Sequence, residues 1–171
     1  MQKMLWLDME MTGLDPQTHV PIEVAAIVTD LQFSPLETYE TVIFQPQAEL
    51  DKMDDWNRKH HGESGLVAKI AQGKRPPQVD LELCQLIARH FQNERPILCG
   101  NSIAQDRSFI RAHLPQMEGQ LHYRMLDVSS WKVIFQSLYL KKFEKKNGHR
   151  ALDDILESIR ELQFYLGFVK T

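Results

Sequence analysis

The sequence predicts an α/β domain, a mixed sheet flanked by helices. Three observations carry that expectation. Three strand-like runs with short connections fill the first 44 residues, strand-like and helical patterns alternate from there onward, and no internal repeat or low-complexity linker divides the chain, so residues 1–171 read as one domain. Residues 3–8 are apolar enough for a buried strand, and Thr12-Gly13-Leu14-Asp15-Pro16 supplies turn chemistry. Residues 22–29 and 39–44 read as two further strands, which short connections arrange as an antiparallel meander. A short helix is expected over residues 51–61 and a longer one over 79–91, where Leu83, Leu86, Ile87 and Phe91 recur at helical spacing behind Pro76-Pro77. A strand over 96–99, a helix over 104–114, a strand over 125–128, a helix over 129–140 and a last helix over 151–166 complete the pattern.

Composition narrows the functional classes. With 43% hydrophobic and 25% charged residues, the chain has the balance of a globular domain able to bury a sizeable core. No apolar run approaches the roughly 18 residues of a membrane span, and the chain enters a strand-like run without a signal peptide's basic and apolar regions; a cytoplasmic protein with no membrane partner is expected. Cys84 and Cys99 have neither paired zinc-ligand spacing nor the density of a disulfide scaffold, and read as buried thiols. The net charge is −3, whereas proteins that grip long nucleic acids carry a basic excess, because each neutralised phosphate releases counterions. Any nucleic-acid substrate should therefore be short, which excludes long duplexes. The one basic concentration, Lys141-Lys142-Phe143-Glu144-Lys145-Lys146, reads first as a solvated face and only second as an aid to attracting phosphate.

Chemistry concentrates in spaced carboxylates. Asp8 and Glu10 end the first strand, and since side chains i and i+2 share a face, both can approach one point that could hold a cation. Alone, such a triplet is as well explained by two exposed acids. Asp106 falls where a strand gives way to a helix, at the strand edge where α/β sites gather, although a first-turn carboxylate also simply favours the helix dipole. In His149-Arg150-Ala151-Leu152-Asp153-Asp154, helical spacing separates the two aspartates. Asp153 shares a stripe with Glu157, Arg160 and Glu161 and is expected in solvent; Asp154 flanks the apolar stripe of Leu152, Ile155, Ile159, Leu162 and Leu166 and can face a cleft. His149, in the loop after Gly148, could swing over the same cleft, or serve only as an incidental cap.

Taken together and in order, Asp8, Glu10, Asp106, His149 and Asp154 resemble the histidine-bearing branch of the DEDD exonucleases. The strings Trp6-Leu7-Asp8-Met9-Glu10-Met11-Thr12-Gly13-Leu14-Asp15, Met53-Asp54-Asp55-Trp56-Asn57, Cys99 to Arg107 and His122 to Ser129 narrow the resemblance to the oligoribonuclease family, and it covers nearly the whole chain. The resemblance implies a ribonuclease H-like fold, a homodimer, two Mg²⁺ or Mn²⁺ ions, and 3′→5′ release of 5′-mononucleotides from single-stranded RNA a few residues long, dinucleotides especially. It further implies that Asp8, Glu10, Asp106 and Asp154 hold the ions, a choice of metal that oxygen ligands suit. His149 becomes the general base, as its near-neutral reference pKa permits.

Leu14 and Trp56 in isolation read first as core residues and second as surfaces for unstacked bases, whereas their matching family positions favour base contact. His61, Ser102, Arg124, Ser129 and Lys132 supply donors suited to phosphate or sugar; Arg124, Ser129 and Lys132 resemble a cap for a 5′ phosphate, joined by Tyr123 across a dimer interface. His19, His90, His113 and His122 are expected on the surface or in structural roles. The sequence departs from the family at Val20-Pro21 before Glu23, at His60, Gly62 and Glu63 around His61, and at Trp131, none of them a metal-ligand position. Two competing readings keep the same carboxylates: another DEDD exonuclease, trimming tRNA or proofreading DNA ends, and a nucleotide-binding protein with a lapsed site.

Overall fold

The computed structural model describes residues 3–144 and 150–169. In β1 (Lys3–Met11), Met4, Leu5, Trp6, Leu7 and Met9 are all buried, a continuous run that requires cover on both faces and so makes β1 the centre of the sheet. β2 (Pro21–Asp30) pairs with it antiparallel, and β3 (Pro35–Val42) pairs antiparallel with β2 as a largely exposed edge. β4 (Leu98–Gly100) and β5 (Met125–Asp127) add in parallel on the other side, giving the order β3-β2-β1-β4-β5. The meander and the mixed sheet with helices on both faces are as expected.

Among the described residues there are eight helices: α1 (Gln47–Leu50), α2 (Asp55–Glu63), α3 (Val67–Ile70), α4 (Pro76–Phe91), α5 (Ile103–His113), α6 (Pro115–Glu118), α7 (Val128–Tyr139) and α8 (Ala151–Leu166). Three of them, α1, α3 and α6, were not foreseen; each is a single turn, too short to display a period. The helix expected from residue 51 starts at Asp55, because the Asp54 carboxylate accepts the Asn57 N–H and caps it there. β3 lies over residues 35–42 rather than 39–44; Ile43 still donates to the Ile22 carbonyl at 2.8 Å but also forms an isolated bridge with Lys74.

The two faces of β1 divide by parity. Leu5, Leu7 and Met9, with Val24, Ala26 and Val28 of β2, pack against Val79, Leu83, Leu86 and Ile87 of α4 and Phe109 and Ile110 of α5. Met4 and Trp6, with Ala25 and Ile27, pack against Ala151, Ile155, Ile159 and Leu162 of α8. The buried indole of Trp6 donates to Thr29 Oγ1 at 3.1 Å, so its one polar atom is satisfied. Asp8 and Glu10 continue the Met4–Trp6 row and therefore face the start of α8. A smaller cluster of Ile22, Met53, Leu66 and Ile70 fixes α3 and the segments on either side of α2 against the start of β2.

What seats α8 is an ion pair. Glu23 stands opposite Glu10 in the β1–β2 register, is fully buried, and accepts from Arg150 Nε at 2.9 and 3.0 Å as well as from a second guanidinium nitrogen and the Ala151 N–H at 3.2 Å. Arg150 also reaches Glu40 at 3.3 Å, tying β2 and β3 to the first turn of α8. Removing one partner leaves a buried carboxylate uncompensated, so Arg150→Ala is expected to cost about 3 kcal/mol in urea unfolding at neutral pH. A loss under about 0.5 kcal/mol, the scale of an ordinary surface change, would show that this pair does not seat the helix.

Candidate metal centre and substrate cleft

At the end of β1 the acids converge. Asp8, Glu10 and Asp154 each offer a carboxylate oxygen, and these oxygens all lie within 4.8 Å of one another, with all three residues half-buried. The i, i+2 geometry of β1 accounts for two of them, and the Glu23–Arg150 anchor delivers the third on the first turn of α8. Asp153 is exposed, as expected. The stripe used to predict that is not a solvent stripe, however: Glu157 and Glu161 are buried, 5% and 1% exposed, because α8 packs on both the sheet and α7.

Asp106 stands beside this trio rather than within it. It is buried on the first turn of α5 and accepts the Met9 N–H at 3.0 Å, stitching α5 to the strand that carries Asp8 and Glu10. Burial, with repulsion from Glu10 and Asp127, pushes its pKa up to about 8, against the lowering pull of its backbone hydrogen bonds. Burial, then repulsion from Asp154 and Glu23, pushes Glu10 up to about 7, with Arg150 opposing. Packed acids of one sign hold protons unless a cation joins them. A hard divalent ion fits this donor set: clustered carboxylate oxygens, half-open to solvent, with no soft ligand among them.

His149 lies outside the described residues, so the fifth member of the sequence motif has no described position. His61 is placed otherwise than expected. It is 3% exposed, with Nε2 3.0 Å from the Met11 carbonyl oxygen and Nδ1 3.8 Å from Glu10, and so supports the end of β1 instead of presenting a free donor.

Leu14 and Trp56 are not core residues. They are 77% and 59% exposed and share the wall of a hollow of about 510 Å³ with Gly13, His19, Asp54 and Asn57. The loop bearing Leu14 is held by the Gln105 side chain, which donates to the Leu14 carbonyl at 2.5 Å. Gly13 leaves room there for the His19 ring, which a Cβ would meet at 2.4 Å unless the ring turned aside. The remaining histidines are structural or peripheral: His113 Nε2 lies 3.1 Å from the Pro16 and His19 carbonyls, His90 pairs with Glu37 at 2.6 Å, and His122 Nδ1 accepts the Arg124 N–H.

A polar cluster forms where β4 and β5 end. Asp127 caps α7 by accepting from the backbone N–H and hydroxyl of Ser129, and the Ser102 N–H donates both to Asp127, at 2.9 Å, and to Ser129 Oγ, at 3.1 Å. The Ser102 and Ser129 hydroxyls lie 3.4 Å apart, and Lys132, half-buried, follows on the same helix. Arg124 and Tyr123 are not brought to this cluster. In the register, Met125 is level with Leu98 and hence with Leu5, three residues before Asp8, and the exposed Arg124 guanidinium lies 5.1 Å from the Tyr123 ring. Their separation follows from the direction of β5, which runs from Arg124 towards Ser129. Sequence reasoning missed Glu23, Arg150 and Asp127 as parts of the site; a lone acid in the apolar run Ile22–Val28 and the Asp-x-Ser spacing before a helix were the available signals.

An exonuclease family model matches residues 5–162. The oligoribonuclease of Vibrio cholerae is 46% identical over 170 residues, covering 96% of this chain and 93% of the relative, and that of Bordetella pertussis is 44% identical over 168 residues, covering 95% and 93%. Among solved structures, a moderately thermophilic exonuclease I from Methylocaldum szegediense superimposes with a TM-score of 0.77 at 16% identity over 98% of this chain. E. coli exonuclease I in complex with a dT13 oligonucleotide gives 0.74 at 13% identity. The chain spans 41% of each of these larger proteins, and at such identity the likeness concerns the fold.

The crowded acids give the metal-free protein a distinct pH dependence. For Glu10 and Asp106 the folded pKa lies above the unfolded value, so their stabilising contribution is complete at low pH and is lost as pH rises through about 7 to 8. The melting temperature of chelator-treated protein should fall between about pH 5 and pH 8, Mn²⁺ should restore it at the upper end, and Glu10→Gln should flatten the fall. A wild-type profile that Glu10→Gln leaves unchanged would contradict the assignment.

Proposed function

The chain belongs to the exonuclease family, and from that membership we propose how it works: as a 3′→5′ exoribonuclease of the oligoribonuclease kind, hydrolysing very short single-stranded RNA, dinucleotides above all, to 5′-mononucleotides. The observation that carries this reading is the convergence of Asp8, Glu10 and Asp154 at a strand end, with the ion pair that seats the third of them.

Asp8, Glu10, Asp106 and Asp154 would hold two Mg²⁺ or Mn²⁺ ions, and bound there the ions supply electrostatic stabilisation to the attacking and leaving oxygens of in-line phosphodiester displacement. The residues of the chain do the rest. His149 takes the proton of the attacking water as general base. Leu14 and Trp56 offer exposed apolar faces on which unstacked bases rest, in support of which both line one hollow. Ser102, Ser129 and Lys132 receive the 5′ phosphate and so limit substrate length, and Tyr123 joins that cap across the dimer interface. His61 backs Glu10 at the edge of the site.

A homodimer is part of the same reading, supported by the apolar face of α7, where Val133, Ile134 and Leu138 are 64%, 50% and 73% exposed beside a hollow lined by Trp131 and Phe135. A cytoplasmic location accords with two free, buried cysteines, and no helix of the described residues is long and apolar enough to cross a membrane.

Two substitution series test this reading. Asp8→Ala or Asp154→Ala should abolish hydrolysis of a 5′-phosphorylated RNA dinucleotide with the fold intact by circular dichroism, while Asp153→Ala should retain most of the wild-type rate; equal losses at Asp153 and Asp154 would refute the site. Lys132→Ala should weaken use of that dinucleotide by about 10- to 100-fold, the worth of one charge-assisted hydrogen bond, and spare a seven-residue RNA. A uniform loss on both substrates would make Lys132 a general electrostatic residue instead.

A further inference from the structure

Ser102 holds an uncommon conformation. Its φ of 54° and ψ of 34° put a non-glycine residue in the left-handed region, as the cap of α5 and four residues before Asp106. Such a residue persists only where its surroundings hold it, and two anchors are visible. On one side, the Ser102 N–H is bound by Asp127 and Ser129. On the other, the preceding Asn101 donates its side-chain amide to Glu161 Oε2 at 3.0 Å, across 60 residues of sequence.

Glu161 is an unusual residue to find there. It is 1% exposed on α8, and its other oxygen accepts the buried Tyr165 hydroxyl at 2.9 Å, so the carboxylate is gripped from both ends and oriented by its own helix. Burial and this carboxylate hold the Tyr165 hydroxyl well above the usual phenol range, which keeps it a donor. α8 is also the helix that carries Asp154 and is seated by Arg150. One helix thus carries Asp154 to the acid cluster and reaches the turn at Ser102 through Glu161.

We infer that Glu161 is a positioning residue for substrate recognition: through Asn101 it locks the left-handed turn at Ser102, and the lock aims the Ser102 hydroxyl, beside a Ser129 hydroxyl already engaged by Asp127, at the terminal phosphate of the RNA. Glu161 touches no substrate in this role. Its burial serves preorganisation, since a Ser102 hydroxyl held 3.4 Å from Ser129 Oγ before binding need not be ordered during it. The inference rests on the proposed phosphate cap and adds to it the group that sets its geometry.

The test uses the full-length protein with Mn²⁺ and two RNA dinucleotides that differ only in the 5′ phosphate. Glu161→Leu fills the volume without an acceptor and should reduce the preference for the phosphorylated dinucleotide by about 5- to 30-fold, mostly through KM, while turnover of the unphosphorylated one stays near wild type. Glu161→Gln retains an acceptor for Asn101 and should restore most of the preference, and Asn101→Ala should behave like Glu161→Leu. A crystal structure of Glu161→Leu, or of Asn101→Ala if the leucine variant folds poorly, should show Ser102 outside the left-handed region. A wild-type preference that survives in both disabling variants, or an equal loss on both dinucleotides, would overturn the role of Glu161. Absence of any phosphate preference in the wild type would instead overturn the cap itself, and the role with it.

Discussion

Three carboxylates within 4.8 Å of one another, with a fourth buried beside them, are the constraint around which the rest of this protein is arranged. Like charges so close cannot all ionise without a compensating cation, and Glu10 and Asp106 already retain protons near neutrality. The arrangement is unfavourable in isolation, so it must be imposed by structure elsewhere. β1 imposes half of it, because a strand with helices on both faces has no freedom to turn Asp8 and Glu10 away from α8. The Glu23–Arg150 pair imposes the other half, by fixing where α8 begins.

The same economy extends to the cleft. α5 brings Asp106 to Met9 and, through Gln105, holds the loop that exposes Leu14. α8 brings Asp154 to the acids and, through Glu161, reaches the turn at Ser102. The Leu14 loop, the acid cluster and the Ser102 turn are therefore positioned by the same two helices, α5 and α8. A net charge of −3 gives the protein no long-range attraction for a polyanion.

Much of this was legible in the sequence where local chemistry decides the outcome. The period-2 geometry of β1 brings Asp8 and Glu10 together whatever surrounds them, and the apolar stripe of α8 separates Asp154 from Asp153. The reading failed where tertiary contact decides. Glu157 and Glu161 look like a solvent stripe on a helix with one buried face, but α8 is covered by α7 as well as by the sheet, so both acids are inside. Leu14 and Trp56 were ambiguous because an apolar side chain at a loop or helix start has no periodic context; their exposure resolves it. Arg124 and Ser129 are five residues apart in sequence, yet β5 runs between them and carries them to different levels of the sheet. One-turn helices and the Glu23–Arg150 pair, 127 residues apart in sequence, leave no local pattern at all.

The central claim is that the acids at the end of β1 are a metal centre, and anomalous diffraction from crystals grown with Mn²⁺ and a non-hydrolysable RNA dinucleotide tests it most directly. The expected result is a pair of anomalous peaks roughly 3.5–4 Å apart, coordinated by Asp8, Glu10 and Asp154 with Asp106 at the second ion, beside the phosphate to be cleaved. An unoccupied cluster, with the dinucleotide bound and manganese located elsewhere, would contradict it.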